Sequence, residues 1–280
     1  MTGLIHARRH VAPPPGIRKR QLFLCLLTSL MTLHMPSQAV AAEAAYEGFQ
    51  SPVGIASIPG KAVYVSDWSA NTVTRIDQNG TRTVVAKDIP AAAGVAIDQK
   101  GALFIASYSA DYIVRLDSDG SVRRIAENLS TPTGITFSRD GRLLVANRGA
   151  GQVVSVDVSS GRASLVADGF SLPVGVVEME DSSIVVSQYG GRVTRVTRDG
   201  HKQELGTSFN RPGVGIAADG PNAVLVVDNG AGVVRRVTFD GKTSIVGEKL
   251  SGSAVALGRG MANEWLAGAW GTGAIYRLRP

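Results

Sequence analysis

From residue 43 onward, apolar residues fall in short runs separated by joints rich in Asp, Asn and Gly. That is the pattern of brief β-strands linked by tight turns. One stretch shows the unit. Gly94 to Asp98 reads as a first strand, Ala102 to Ala106 as a second, Tyr112 to Leu116 as a third and Ser121 to Ala126 as a fourth. The joints carry matching chemistry, with Asp98-Gln99-Lys100-Gly101 between the first pair and Asp117-Ser118-Asp119-Gly120 between the last. Asp-Gly and Asn-Gly pairs supply the positive φ that such hairpins need.

The unit returns six times. Its marker is a small residue opening each first strand: Gly54, Gly94, Gly134, Gly175, Gly215 and Ala254, spaced 40, 40, 41, 40 and 39 residues apart. Turn signals recur between third and fourth strands at Asn79-Gly80, Asp119-Gly120, Ser160-Gly161, Asp199-Gly200 and Asp240-Gly241. A period near forty with four strands per unit predicts an all-β, six-bladed β-propeller over residues 43–280. Small residues two places beyond each marker (Ala56, Ala96, Thr136, Ala217 and Ala256, with Val177 the largest) suit strands that crowd near an axis. The sixth unit stops at its third strand, Ile275-Tyr276-Arg277-Leu278. Residues 43–49 align with the fourth strand of the third unit, Ala163 to Phe170, so they are expected to complete the last blade and close the ring.

Stacking the repeats also stacks their loops. Those joining strand two to strand three, and those leading into strand one, are expected on one face. Aligned, the former give a first column of Asp67, Ser107, Asn147, Gln188, Asp228 and Ala269, and a second of Trp68, Tyr108, Arg148, Tyr189, Asn229 and Trp270. Four aromatics and an arginine at one repeat position form a broken collar, of the composition binding surfaces favour. Trp68, Tyr108, Arg148, Tyr189 and Trp270, with Asp67, Asn147 and Asp228 beside them, are therefore the candidate binding residues. For Asp67 and Asp228 a structural role, tying loops and blades together by hydrogen bonds, is the competing reading. The opposite face carries the Asp-Gly hairpins and His201, which reads as a polar turn residue.

Residues 1–42 stand outside the repeat. Arg18-Lys19-Arg20, an apolar run from Leu22 to Leu33 and Pro36-Ser37-Gln38-Ala39-Val40-Ala41-Ala42 read as a cleaved secretory signal peptide, cut near Ala39-Val40-Ala41 or one residue later. The run is short for a bilayer span, so no stable membrane anchor is expected after cleavage. This leader holds five of the 29 Lys and Arg and none of the 23 Asp and Glu, leaving 24 positive against 23 negative charges, a net of +1. The basic character belongs to the leader, and nucleic-acid binding loses its support. Cys25, the sole cysteine, goes with it, as do His6, His10 and His34. With His201 alone remaining, no Ser-His-Asp or Cys-His machinery can be assembled, and histidine-based metal sites fail likewise.

The recurring Pro-x-Gly-Ile/Val segments and Val63-Tyr64-Val65-Ser66-Asp67-Trp68 resemble the NHL-repeat and SMP-30/gluconolactonase-like six-bladed propellers, across the whole of residues 43–280. The resemblance implies two enzymatic activities that can be tested residue by residue. Lactonases of this group hold a divalent metal in the channel through Asn or Asp just before such glycines; here those positions are Val53, Ala93, Thr133, Val174, Val214 and Ser253. Streptogramin lyases share the glycine-anchored repeat but use loop histidine and glutamate, and His201 sits on the other face. The leading expectation is a periplasmic or secreted binding module for a small ligand or a protein partner, without metal or cofactor. The alternative is a lactonase-like hydrolase or lyase with a channel site at Asp67, Asn147 and Asp228, for which a divalent metal such as calcium would be needed. A third reading is an assembly component of an envelope complex.

Overall fold

The structure, a computed structural model, describes residues 42–206, 209–247 and 249–279. The leader expected over residues 1–42 lies outside the described residues save for Ala42. Among the described residues no helix is long and apolar enough to cross a membrane.

Six four-stranded antiparallel sheets follow one another along the chain. In the second, the strands are Ala92–Ile97, Leu103–Ser107, Tyr112–Leu116 and Val122–Ala126, so the first strand begins two residues before its glycine. The chain is an all-β six-bladed propeller. Between third and fourth strands Gly80, Gly120, Gly161, Gly200 and Gly241 all adopt positive φ, as the turn signals require. The last blade takes its fourth strand from the other end of the repeat region. Ala44–Tyr46 pairs antiparallel with Ala274–Arg277, Ala44 opposite Tyr276 and Tyr46 opposite Ile275. The Phe49 amide donates to the Gly273 carbonyl at 3.0 Å and the Arg277 amide to the Glu43 carbonyl at 3.2 Å.

Blades meet face to face through apolar side chains. Six clusters of buried hydrophobic residues lie one at each interface between neighbouring blades, including the closing one. There Ile55, Val63, Val65 and Ile76 of the first blade meet Ala256, Leu266 and Ile275 of the last, with Tyr46 and Phe49 against them. Near the axis the inner strands approach until backbone touches backbone. A Cβ on Gly54 would stand 2.6 Å from the Ala93 carbonyl oxygen of the next blade, and one on Gly134 2.6 Å from that of Val174. Gly94, Gly175 and Gly215 are confined by the following blade in the same way.

The pairing corrects the sixth marker. Ala254 lies opposite Ala269, as Pro52 lies opposite Asp67, while Ala256 lies opposite Gly268, as Gly54 lies opposite Ser66. The equivalent of Gly54 is thus Ala256 rather than Ala254, and the small residue two places on is Gly258, whose missing Cβ makes room for Ile55. The sixth blade carries Ala254 and Ala256 where the first has Pro52 and Gly54, so neither residue sets the frame and sequence alone slips by two.

Removing residues 42–49 is expected to lower the melting temperature by about 10 °C, since it strips one strand and part of an apolar interface from a domain in which each kcal/mol moves the midpoint by roughly 2–4 °C. Thermal denaturation followed by circular dichroism checks this, and an unchanged midpoint contradicts closure by this strand.

Candidate functional site

The second column of the loop alignment is positioned by one repeated hydrogen bond. The amides of Trp68, Tyr108, Arg148, Tyr189, Asn229 and Trp270 donate to the carbonyls of Ser51, Ala91, Thr131, Leu172, Arg211 and Ser253, each in the segment leading into strand one of the same blade. The two sets of loops therefore share one face, as expected. Three acceptors of this row, Ala91, Thr131 and Leu172, hold φ between 46° and 55°, a region that non-glycine residues avoid. Side chains hold two of them there: Asn71 Oδ1 accepts from the Ala91 amide and Asp111 Oδ1 from the Thr131 amide, both at 2.7 Å.

All six second-column residues line a single cavity of about 180 Å³ at the axis. Trp68 is its hub, with ring centroids 4.3 Å from Tyr108 and 5.8 Å from Trp270. Arg148, at the start of a 3₁₀ turn over Arg148–Ala150, continues the wall. Its guanidinium lies 5.7 Å from the Tyr108 ring centre and 5.6 Å from that of Tyr189, and donates to the Tyr108 hydroxyl at 2.8 Å. Trp270 and Tyr189 remain 39% and 36% exposed, so the collar is open to solvent.

The floor consists of the residues just before the axial glycines and Ala256: Val53, Thr133, Val174, Val214 and Val255. The sixth member is Val255, not Ser253, by the same two-residue correction. This is where the lactonase-type divalent metal would have to bind, and the residues do not fit one. The single polar group among them, the Thr133 hydroxyl, donates to the carbonyls of Ala146 at 3.0 Å and Pro173 at 3.3 Å. Hard divalent cations need several oxygen ligands. Among the described residues no group of three or more His, Cys, Asp or Glu side chains converges.

The first column turns away from this cavity. Asp67, 3% exposed, accepts from the amides of Gln50 at 2.7 Å, Ser51 at 2.9 Å and Ala70 at 3.2 Å. Asn147 Oδ1 accepts from the Ser130 amide at 2.6 Å, and Gln188 Oε1 from the Ser171 amide at 2.7 Å. Asp228 is fully buried; it accepts from the amides of Asn210 and Arg211 and is paired with Arg235 at 2.8 Å. Each of these side chains is committed to the segment that leads into strand one. Asp67, Asn147 and Asp228 line neither mouth of the channel. Their geometry is that of clamps which hold the collar's backbone partners in place.

Toward the opposite face the channel widens to about 340 Å³ between the inner strands. Its rim carries Arg259 stacked on Trp265, with burial pulling the guanidinium pKa below its ordinary value. His201 sits in an exposed hairpin, its carbonyl accepting from the Thr197 amide at 2.9 Å. One residue packed against the collar escaped the sequence alignment. Arg211 packs its guanidinium 5.1 Å from the Tyr189 ring centre and reaches the Tyr189 hydroxyl at 3.4 Å. Aligning Ser51, Ala91, Thr131, Leu172, Arg211 and Ser253 reveals it as the single charged member of the lead-in column.

Six blades, a closing N-terminal strand and an axial cavity define a closed six-bladed β-propeller. The chain belongs to the virginiamycin B lyase family, whose model matches residues 42–279. The fold resembles a gluconolactonase from Xanthomonas campestris with a TM-score of 0.74, at 18% identity over 84% of this chain and 88% of that one. It also resembles virginiamycin B lyase from Staphylococcus aureus, with a TM-score of 0.65 at 19% identity over 82% of each chain. A catalytically inactive histidine-to-alanine variant of that lyase, crystallised with quinupristin, matches with a TM-score of 0.64 at 16% identity over 85% of this chain and 87% of that one. A comparison with curated proteins finds no significant match.

Asp228→Ala is expected to destabilise the fold by about 3–5 kcal/mol, because it leaves a largely buried Arg235 without its partner. Asp67→Ala is expected to cost about 2–4 kcal/mol through the amides it strands. Chemical denaturation measures both, and wild-type stability in either variant contradicts the clamp role of that residue.

Proposed function

We propose that the collared mouth is the ligand-binding site of an exported propeller, taking a small molecule or the protruding end of a larger one. The observation that carries this reading is the convergence of Trp68, Tyr108, Arg148, Tyr189 and Trp270, from five different blades, on one cavity with a mainly apolar floor. Aromatic walls supply large contact area at low conformational cost, and an arginine among them adds directed donors. At about 180 Å³ the cavity is smaller than the roughly 300–1,000 Å³ of sites that enclose drug-sized ligands, which favours a fragment-sized group. Export to the periplasm or beyond is supported by the basic and apolar leader of residues 1–42.

Family membership favours a second reading, in which binding at this mouth is followed by lyase or lactonase-like chemistry. At the level of class it speaks for an enzyme more than for a pure binding module. The quinupristin-bound lyase relative loses activity with a histidine, whereas the repeat region here holds His201 alone, in a hairpin of the opposite face. Chemistry in this chain would have to use other groups. The Tyr108 and Tyr189 hydroxyls, each contacted by an arginine, stand at the mouth and are of a type able to move a proton.

Two measurements separate the readings. Calorimetric titration with a panel of small aromatic ligands is expected to show binding that Trp68→Ala with Trp270→Ala weakens by about a hundredfold, some 2.7 kcal/mol; unchanged affinity in the double variant removes the collar from the site. Incubation with quinupristin and with glucono-lactone, followed by liquid chromatography and mass spectrometry, tests turnover. The enzymatic reading expects a new product peak that Tyr108→Phe abolishes, and unaltered substrates overturn it while leaving the binding reading intact.

A further inference from the structure

Among the described residues eight arginines lie over aromatic rings, and four of them have a carboxylate partner that neutralises the charge. Arg115, Arg124, Arg195 and Arg235 each stack on a ring and also pair with a carboxylate: Asp117, Glu127, Asp181 and Asp228. Arg82 and Arg259 stack likewise and donate to main-chain carbonyls, of Glu47 and Asn263. Arg148 and Arg211 have neither kind of partner among the described residues. Among the described residues their guanidinium groups meet only tyrosine: the rings of Tyr108 and Tyr189 and one hydroxyl apiece. Each guanidinium carries five N–H donors, so most of them meet no acceptor among the described residues. Asp228, which accepts from the Arg211 amide, is spent on Arg235 and on backbone amides.

These two cations flank the same ring, Tyr189: Arg148 lines the cavity, Arg211 stands on Tyr189 just outside that lining, and the lining residues include no carboxylate. The rings hold the two planar guanidinium groups in place, which lowers the ordering cost of a second hydrogen-bonding partner. We propose that the collar selects a small organic anion, with a carboxylate received by Arg148 and Arg211 across Tyr189 and an apolar or aromatic body laid against Trp68 and Trp270. Charge-assisted, fork-shaped donors suit a planar carboxylate better than a neutral amide of the same shape. The valine floor beneath offers the body a dry seat and the charge no partner, so the anion is held at the rim. This proposal rests on the collar being the binding site and goes further by assigning the ligand's charge.

The test compares 3-phenylpropionate with 3-phenylpropionamide by isothermal titration calorimetry at low salt. The wild type is expected to bind the carboxylate at least about tenfold more tightly than the amide. In Arg148→Gln with Arg211→Gln the ratio is expected to fall to about one, with amide binding retained; thermal melting of that variant confirms that it is folded. Equal affinity of the two probes in the wild type overturns the charge assignment and leaves the collar as a binding site. A preference that survives in the double variant overturns the role of these two arginines. Absence of heat from either probe overturns both the charge assignment and the collar as the site for ligands of this size.

Discussion

The close approach of inner strands around the axis is the constraint from which the rest follows. At Gly54 and Gly134 the backbone of one blade lies where a Cβ would collide with a carbonyl of the next. Any side chain there would push blades apart and open the apolar interfaces that hold them. The ring therefore has a fixed, small radius. At the last blade the demand is met differently, by Ala256 at the marker and by Gly258 two places on, where Ile55 of the first blade fills the space.

That small radius explains why loops contributed by five blades touch at all. Trp68, Tyr108 and Trp270 come from different blades, yet their rings pack within 6 Å of one another in sequence, Tyr108 to Trp68 to Trp270. The residues behind them supply the rigidity. Asp67, Asn147, Gln188 and Asp228 hold the lead-in segments by side-chain hydrogen bonds, and the lead-in carbonyls in turn fix the collar amides. Backbone strain at Ala91, Thr131 and Leu172, of the order of 1–3 kcal/mol each, is sustained within this lattice. Asp67 and Asp228 are thus braces, and the cavity itself is walled by aromatic side chains and Arg148.

Much of this was legible in the chain. Hairpin glycines, the period of about forty and the unmatched segment at residues 43–49 define blades and closure because each reports a local requirement, a positive φ or an unpaired strand. The loop columns brought out Trp68, Tyr108, Arg148, Tyr189 and Trp270 for the same reason. Two features escaped. The sixth marker slips by two residues because Ala254 and Ala256 replace both the proline and the glycine that frame the first blade, and strand register is set there by pairing with Trp265–Ala269. Arg211 was missed because what marks it out is its packing against Tyr189 of the preceding blade and the lack of an acidic partner among the described residues. Partnerless charge is a property of three-dimensional neighbours, and no spacing rule encodes it.

The central claim is that ligand enters at the collar. A crystal structure of the protein soaked with 3-phenylpropionate tests it most directly. The account predicts density between Trp68 and Trp270, with the carboxylate within hydrogen-bonding distance of Arg148. Density at the opposite mouth beside Arg259 and Trp265, with the collar left vacant, would contradict it.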